Sequence, residues 1–210
     1  KPQIGIVTAF GEVPVHVEFF SGKEALVKEK GRLIENLPAN GFAVLNTDDL
    51  DTYEMRHHTR AHILSYGFGN EAEVRISNFQ NRYMETRPVG VYFKLNYGGS
   101  FVPVNISGIV SRSQAYSCAG ATAIGLVFGL NLVRIAENLQ KFIPPPHRMN
   151  FLSGIKGSCI LDDSYNAAPA SMRSALETLK DLKAKRRIAV LGDMLEIGKY
   201  SIEAHESIGE

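Results

Sequence analysis

Three consecutive prolines, Pro144, Pro145 and Pro146, constrain the fold of this chain more than any other feature. Proline lacks a backbone N–H and clashes with the preceding helical turn, so neither a helix nor a central strand can continue through this segment. On both sides of the prolines, short apolar runs typical of buried strands alternate with helical patterns. The order predicts an α/β fold in two parts, residues 1–145 and 146–210, each with a parallel sheet.

The first part is predicted to begin with alternating strands and helices and to continue with a run of strands. The predicted strands are residues 4–8, 42–46, 62–66, 73–77, 89–95 and 101–104, and the predicted helices are residues 22–37, 113–128 and 132–142. Gly98 and Gly99 favour a tight hairpin turn between the last two strands. The second part is predicted as a strand at 158–162, a helix at 169–183, a strand at 187–191 and a helix from about Ser201.

The charge balance gives no general reason to expect nucleic acid or an anionic membrane as the partner. The chain has 23 Lys and Arg against 22 Asp and Glu, a net charge of +1. A protein that binds a polyanion through its overall charge carries a larger positive excess. The two cysteines, Cys118 and Cys159, have no partners at metal-ligand spacing, so we expect a reducing, cytoplasmic environment.

One segment, residues 113–133, contains 21 residues without a formal charge and is long enough to cross a bilayer. Serine, glutamine, threonine and asparagine interrupt it, and three glycines divide it. We therefore predict a buried helix that ends near Gly129 and a second helix from about Leu132, without membrane insertion.

Lys30 is unusual because it lies on the apolar stripe of the helix predicted at 22–37. Leu26, Leu33 and Leu37 recur at helical spacing, and Lys30 is four residues after the first of them and three before the second. Such a lysine either extends its apolar stem along the core and keeps its ammonium group in water, or it has a chemical role.

Polar residues follow three predicted strands, at the edge where open α/β sheets bind ligands. His16 lies among apolar residues after the first strand and is either a packed histidine or a ligand. The acidic stretches Asp162–Asn166 and Gly192–Gly198 follow the two strands of the second part. Each is either a turn with a helix cap or a contact for the hydroxyl groups of a sugar. Two such loops in one small unit favour a nucleotide or substrate edge.

Together these stretches resemble the Mur ligase family, the ATP-dependent enzymes that form amide bonds in peptidoglycan synthesis. The matching stretches are His16–Phe20 followed by Lys30-Gly31, Val44–Asp49, Asp162–Ala167 with Pro169 and Ser171, and Gly192–Glu196 with His205. Their order and approximate spacing extend over nearly the whole chain. The last two stretches are similar to the branch that joins D-alanyl-D-alanine to a UDP-N-acetylmuramoyl tripeptide.

The resemblance implies a place within a three-domain enzyme. Residues 1–145 would be the second part of the central, ATP-binding domain, and residues 146–210 the first part of the Rossmann-like carboxyl-terminal domain. The chain has no initiator Met and no Gly-rich loop ending in Gly-Lys-Thr or Gly-Lys-Ser, so we expect an internal fragment that is inactive by itself. The ligands implied are ATP, Mg²⁺, the UDP-muramoyl peptide and D-alanyl-D-alanine. We expect a monomer without nucleic acid.

The implied reaction has two steps: ATP phosphorylates the terminal carboxylate of the peptide, and the amine of D-alanyl-D-alanine then displaces phosphate from the acyl phosphate. The resemblance assigns Lys30, as a carbamate, and His16 to magnesium. It assigns Arg148 to the ATP phosphates and Asp163 to the ribose. The complete ATP-binding set that it implies is Asn46, Arg112, Gln114, Arg148, Asp163, Tyr165 and Asn166. Burial of Lys30 would favour the neutral amine that a carbamate requires.

The chain departs from the family pattern at three places. Ala9 stands where the family usually has Asn, and the loop from Thr8 to His16 is two residues longer, with Val13-Pro14 as the extra pair. Ser111–Gln114 stands where the family has Gly-Arg-His-Asn, and this difference affects the expected adenine contact. Two alternatives stay open. One is a related ligase with another acceptor, of the folylpolyglutamate synthase or cyanophycin synthetase type. The other is a non-catalytic binding module, if the chain is complete.

Overall fold

A six-stranded mixed sheet forms the centre of the first part in this computed structural model, which describes residues 1–85 and 87–209. Its strands are adjacent in chain order: β1 Ile4–Val7, β2 Phe42–Asn46, β3 His62–Gly67, β4 Val74–Met84, β5 Arg87–Tyr97 and β6 Ser100–Ser107. Strands β1 to β4 are parallel, and β4 to β6 are antiparallel. The carboxyl ends of the parallel strands therefore meet at one edge of the sheet.

Helices cover both faces of the parallel strands, which explains why these strands read as continuous apolar runs. On one face, helix α1 (Lys23–Glu35) and the turn after it pack Ile34 and Leu37 against Ala43 and Leu45 of β2. Helix α2 (Leu50–Glu54) follows β2, with a short 3-10 turn at Met55–His58 after it. On the other face, helix α3 (Arg112–Val127) packs the small side chains of its inner face, including Cys118, against β2 to β6.

The predicted hairpin is confirmed. Tyr97 pairs with Ser100 across the turn, and Gly98 and Gly99 have φ of 56° and 78°. Both values lie in the left-handed region that glycine enters at low cost, as a two-residue hairpin turn requires. Strands β4 and β5 extend well beyond the predicted residues.

The uncharged segment forms two helices, as predicted. Helix α3 is followed by Gly129, at φ 76°, and by helix α4 (Leu132–Leu139). The side chain of Asn131 caps α4 by accepting a hydrogen bond from the backbone N–H of Arg134 at 2.9 Å. No helix within residues 1–85 and 87–209 has the length and apolar character needed to cross a membrane.

The second part differs from the predicted parallel sheet. Strand β7 (Asn150–Ser153) pairs antiparallel with β8 (Cys159–Asp162), followed by helix α5 (Pro169–Asp181) and helix α6 (Ser201–Gly209). The strand predicted at 187–191 is not formed, and Val190 is 93% exposed. An apolar strand needs neighbouring strands to accept its hydrogen bonds and cover its side chains, and none of the described strands lies beside this segment.

The chain between α4 and β7 contains the three prolines and no helix, as predicted. The two parts do not have fully separate cores, however. Val17 and Leu26 of the first part are buried together with Met194, Ile197 and Ala204 of the second. This shared cluster fixes the second part against the carboxyl ends of the parallel strands.

Candidate functional site

A cavity of about 330 Å³ lies at the junction between the two parts. Its walls come from the first turns of α3, from the proline segment, from the loops around β7 and β8, and from α5. The lining residues are Ser113, Gln114, Ser117, Phe142, Pro144, Pro145, Arg148, Met149, Asp163, Ser171 and Ser174. Three of the residues assigned to ATP by resemblance, Gln114, Arg148 and Asp163, are thus brought together in one cavity of ligand-binding size.

Gln114 connects the start of α3 to the second part. Its Oε1 accepts hydrogen bonds from the backbone N–H groups of Val110 and Ser111, at 3.2 and 3.3 Å, which completes a capping box. Its Nε2 donates to the carbonyl of Arg148 at 3.3 Å. The side chain is only 7% exposed, and its polar groups are largely used within the protein. Gln114 therefore shapes the cavity wall.

Arg148 is oriented by its neighbours. Its guanidinium lies 3.8 Å from the centroid of the Tyr165 ring, a cation–π contact. The flanking residues His147 and Met149 both have left-handed φ angles, 62° and 54°. The backbone N–H of Tyr165 donates to the carbonyl of His147 at 3.2 Å. The chain after the prolines is thus fixed to the loop that follows β8.

Asp163 lies at the carboxyl end of β8, where the sequence predicts a ligand contact. One carboxylate oxygen accepts the backbone N–H of Met149 at 3.0 Å. Burial raises the pKa of this carboxyl, and that effect outweighs the hydrogen bond from Met149 and the positive charge of Arg148, which lower it. A half-buried carboxylate beside a cavity is suited to accept hydrogen bonds from a ligand's hydroxyl groups.

His147, Asp162 and Ser164 form a polar cluster that was not predicted from the sequence. Asp162 accepts hydrogen bonds from the Ser164 hydroxyl at 2.7 Å, from the Ser164 backbone N–H at 3.1 Å and from His147 Nδ1 at 2.8 Å. The Ser164 hydroxyl and N–H, with a smaller contribution from His147, lower the pKa of Asp162. Because Ser164 donates to the carboxylate, it is not activated as a nucleophile. The signal in the sequence was a Ser two residues after an Asp, a local turn pattern.

Four of the assigned residues do not line the cavity: Asn46, Arg112, Tyr165 and Asn166. Asn166 is exposed, and its side chain accepts the backbone N–H of Ala167 at 2.9 Å. Arg112 lies with its guanidinium 3.8 Å from the centroid of the Phe68 ring, which in turn packs edge-on against Tyr116. This aromatic cluster was not predicted from the sequence.

Asn46 and Asp49 tie together the loops after β1 and β2. Asn46 is buried, donates from Nδ2 to the carbonyl of Thr8 at 2.9 Å and accepts the backbone N–H of Asp48 at 3.0 Å. Asp49 caps α2 and accepts the backbone N–H groups of Phe10 and Gly11 at 2.9 and 3.0 Å. Burial acts to raise the pKa of Asp49, but these hydrogen bonds outweigh it and lower the pKa.

Lys30 does not have the predicted buried environment. Leu26 and Leu37 are buried, but Lys30 and Leu33 are exposed. The physical reason is that the apolar residues of α1 and of the turn after it pack into two different clusters. Leu26 belongs to the cluster shared with the second part, and Leu37 belongs to the cluster under β2. Lys30 lies on the turn between them, where neither cluster covers it.

His16 lies in the loop between β1 and α1 and contacts the second part directly. It has a left-handed φ of 69°, and its Nδ1 contacts the carboxylate of Glu196. Glu196 lies in the second of the acidic loops that the sequence analysis identified. The structure thus brings a carboxylate of that loop to the histidine that follows β1.

The residues present do not complete a cation site. Within residues 1–85 and 87–209, no three side chains of His, Cys, Asp or Glu converge to hold a metal ion. Mg²⁺ prefers oxygen ligands in an octahedral arrangement, whereas the contact at His16 offers one imidazole and one carboxylate. The described donor set therefore does not fit Mg²⁺ by itself.

An α/β sheet packed against a second part, with a cavity lined by residues of both parts, defines a two-part α/β chain with a candidate ligand site at the junction. Residues 1–121 match the family described as Mur ligase middle domain, and residues 147–210 match the one described as Mur ligase, glutamate ligase domain. The chain therefore belongs to the Mur ligase family, as the four sequence stretches predict.

The relatives of the chain include members of the branch that its last two matching stretches resemble. The UDP-N-acetylmuramoyl-tripeptide–D-alanyl-D-alanine ligase of Mycobacterium tuberculosis is 29% identical over 214 residues, which cover 99% of this chain and 41% of that protein. The chain thus spans less than half the length of this curated relative.

Two solved structures share the fold over 99% of this chain. MurF from Acinetobacter baumannii superposes with a TM-score of 0.84 at 23% identity, over 44% of its length. MurF from Thermotoga maritima, in complex with ADP, superposes with a TM-score of 0.80 at 24% identity, over 45% of its length. These likenesses establish the α/β architecture of both parts.

Proposed function

We propose that this chain supplies the central and carboxyl-terminal segments of an ATP-dependent ligase that joins D-alanyl-D-alanine to a UDP-N-acetylmuramoyl tripeptide. The observation that carries the proposal is the junction cavity lined by Gln114, Arg148 and Asp163. The relative from Mycobacterium tuberculosis has this activity in its name, and the Thermotoga maritima structure holds ADP. Such an enzyme would act in the cytoplasm, where ATP is supplied.

In this proposal the cavity holds the nucleotide. Asp163 has one carboxylate oxygen on the backbone N–H of Met149, and its other oxygen would accept hydrogen bonds from the ribose hydroxyls. Arg148, oriented by the Tyr165 ring, would contact the phosphates. The N-terminus of α3, whose first residues line the cavity, adds a favourable field for negative charge.

The chemistry requires no nucleophilic side chain. A carboxylate oxygen of the peptide attacks the γ-phosphorus, and the bond to the ADP oxygen breaks. The amine of D-alanyl-D-alanine then attacks the acyl carbon, loses a proton, and phosphate leaves. Water would hydrolyse the acyl phosphate, so the contribution of this chain is to bind ATP between its two parts and to close the site.

Only the family resemblance assigns His16 and Lys30 to magnesium binding. In that assignment Lys30 would bind the ion as a carbamate. His16 adjoins the junction through Glu196, which supports its assignment to the site. The exposed position of Lys30 gives its carbamate no support of this kind. Substitution of Lys30 by Ala, with added formate or acetate as a replacement anion, tests the assignment directly.

The experiment that tests the function measures ATP-dependent product formation by the full-length protein that carries this chain. We expect turnover with the UDP-muramoyl tripeptide and D-alanyl-D-alanine, and none with single amino acids as acceptors. Turnover with a single amino acid would instead assign the chain to another ligase of the family. The proposal would be overturned if the protein neither hydrolysed ATP nor transferred its γ-phosphoryl group with any acceptor present.

A further inference from the structure

Asp48, in the loop after β2, is surrounded by hydrogen-bond donors. Its carboxylate accepts the backbone N–H groups of Phe68 and Gly69 at 2.6 and 3.0 Å, and the hydroxyl of Tyr116 at 2.7 Å. The Thr47 hydroxyl donates to the same carboxylate at 3.2 Å. Four donors from three separate segments of the chain thus converge on this one side chain.

The loop after β3 is shaped to receive the Asp48 carboxylate. A Cβ atom on Gly67 would lie 2.9 Å from both carboxylate oxygens, and one on Gly69 would lie 2.8 Å from Oδ1. Both distances are shorter than van der Waals contact, so any other residue at either position would displace the carboxylate. Phe68, between the two glycines, is therefore held in place by its own backbone.

Tyr116 holds the same ring from helix α3. Burial and the hydrogen bond to Asp48 raise the pKa of the Tyr116 hydroxyl, so this group remains a donor at neutral pH. The Tyr116 ring packs edge-on against the Phe68 ring, with the two centroids 4.9 Å apart. Asp48 therefore fixes Phe68 twice, through the backbone N–H of Phe68 and through the neighbouring ring of Tyr116.

Arg112 is held by the Phe68 ring. Arg112 and Tyr116 lie four residues apart in α3 and so share one face of the helix. The Arg112 guanidinium lies 3.8 Å from the centroid of Phe68 and 5.8 Å from that of Phe79. Within residues 1–85 and 87–209, no carboxylate forms an ion pair with it. A guanidinium held over ring faces keeps its N–H groups for other partners.

The position of Arg112 favours an anionic ligand. Arg112 is the first residue of α3, where the helix macrodipole already places partial positive charge, and the first turn contains no acidic residue. A cation at this end of a helix is unfavourable unless an anion balances it. The next residue, Ser113, lines the junction cavity. The exposed Arg112 guanidinium is therefore suited to bind the phosphate oxygens of a nucleotide at the edge of this cavity.

We propose that Asp48 is a positioning residue for ATP binding, which holds Phe68 and Tyr116 so that Arg112 stays at the edge of the junction cavity. Asp48 acts through these two rings and does not itself touch the nucleotide. This role rests on the proposed function, in which the junction cavity holds ATP, and it adds a residue to which the family resemblance assigns no contact.

The first test measures the position of Arg112 without any turnover. The full-length protein is labelled with ¹³C and ¹⁵N in arginine, and the Arg112 signals are assigned by their loss in Arg112→Lys. We expect the aromatic rings to shift the side-chain protons of Arg112 upfield in the wild type, and Phe68→Leu to abolish this shift. Asp48→Ala should remove most of it, and Asp48→Asn, which keeps one acceptor oxygen, should retain part. An unchanged shift in Asp48→Ala would overturn the proposal.

The second test measures the Kd of ATP for the same proteins by isothermal titration calorimetry. Arg112→Ala should raise the Kd about tenfold, because a charge-assisted hydrogen bond to the ligand is lost. Asp48→Ala should raise it about three- to tenfold, since the arginine is present but displaced. Because Asp48 acts through Arg112, the double variant should bind ATP no more weakly than Arg112→Ala alone. Additive losses, or a Kd that neither substitution changes, would overturn the proposal.

A milder variant covers the case in which Asp48→Ala does not fold. Tyr116→Phe keeps the ring and removes one donor to Asp48, so it should change both measurements in the same direction as Asp48→Ala and by less. The matched control is Glu71→Gln, which removes a negative charge from the same loop after β3 and should change neither. Circular dichroism verifies the fold. If Tyr116→Phe equals the wild type in both measurements, the proposal is wrong.

Ligase assays separate the role of Asp48 from the proposed function. A wild type that shows the expected Arg112 shift and ATP affinities but no ligase activity would reject the proposed function alone. An active wild type whose Asp48→Ala variant retains both the Arg112 shift and the Kd of ATP would reject the positioning role alone.

Discussion

Gln114 and Arg148 are joined across the junction by a hydrogen bond of 3.3 Å from the Gln114 side chain to the Arg148 carbonyl. The same glutamine completes the capping box of α3. One buried side chain therefore stabilises a helix start and positions the arginine of the cavity.

This double role predicts the effect of Gln114→Ala. Loss of the cap and of the interdomain hydrogen bond should lower the stability of the protein by about 1–2 kcal/mol. The ATP KM should rise several-fold because Arg148 loses a support. Urea unfolding and initial-rate kinetics measure the two effects. The control is Gln140→Ala, at an exposed position after α4. Equal effects of both substitutions would contradict the role of Gln114.

Asp163→Ala should raise the ATP KM more than tenfold and leave the fold intact, because Asp163 lines the junction cavity and the substitution removes its carboxylate from that wall. Asp163→Asn should keep the acceptor for the Met149 N–H and show a smaller rise. The control is Asp181→Ala, at the exposed end of α5. Circular dichroism verifies the fold. An unchanged ATP KM in Asp163→Ala would exclude a ribose contact.

Because the Tyr165 ring lies against the Arg148 guanidinium, we expect two substitutions of Tyr165 to have different effects on the ATP KM. Tyr165→Phe keeps the aromatic face and should leave the ATP KM within about twofold of the wild type. Tyr165→Leu removes the face and should raise the ATP KM about two- to fivefold, since a cation–π contact at an exposed site contributes roughly 0.5–1 kcal/mol. If Phe and Leu behave alike, the ring does not orient the arginine.

The lowered pKa of Asp49 predicts a loss of stability in acid. The pKa in the folded state lies below the ordinary value of 3.8, so the unfolded state binds more protons in this range. The contribution of Asp49 is therefore complete above pH 3.8 and is lost as the pH falls through the folded-state pKa. Urea midpoints at about pH 6 and about pH 3 should differ less in Asp49→Asn than in the wild type. An equal pH dependence in both proteins would contradict this assignment.

The sequence predicts most strands and helices of the first part because the spacing of apolar residues shows which positions are buried. Strand β2 and the glycine hairpin are found where the pattern indicates, since both depend on local residue types. The strand predicted at 187–191 is absent because an apolar run forms a strand only with neighbours, which the local pattern does not describe.

The candidate site shows the same limit. The position after β8 marks Asp163 as a candidate, and this residue lines the junction cavity, whereas the stripe on α1 predicts a buried Lys30 that is in fact exposed. Periodicity identifies a face of a helix but not what covers each turn of it. The contact between His16 and Glu196, 180 residues apart in the chain, depends on two left-handed residues and has no local sequence signature.

The three prolines have a mechanical consequence. Each proline fixes its own φ, and each restricts the residue before it, so Pro144–Pro146 act as a stiff arm of about 9 Å at roughly 3.1 Å per residue. Rotation of the second part relative to the first must then occur at the ends of the arm. One end is the turn after α4, and the other is the left-handed pair His147 and Met149. Arg148 lies between these two residues, at the pivot itself. Any rotation of the second part about this pivot therefore changes the orientation of Arg148 relative to α3, to which Gln114 bonds its carbonyl.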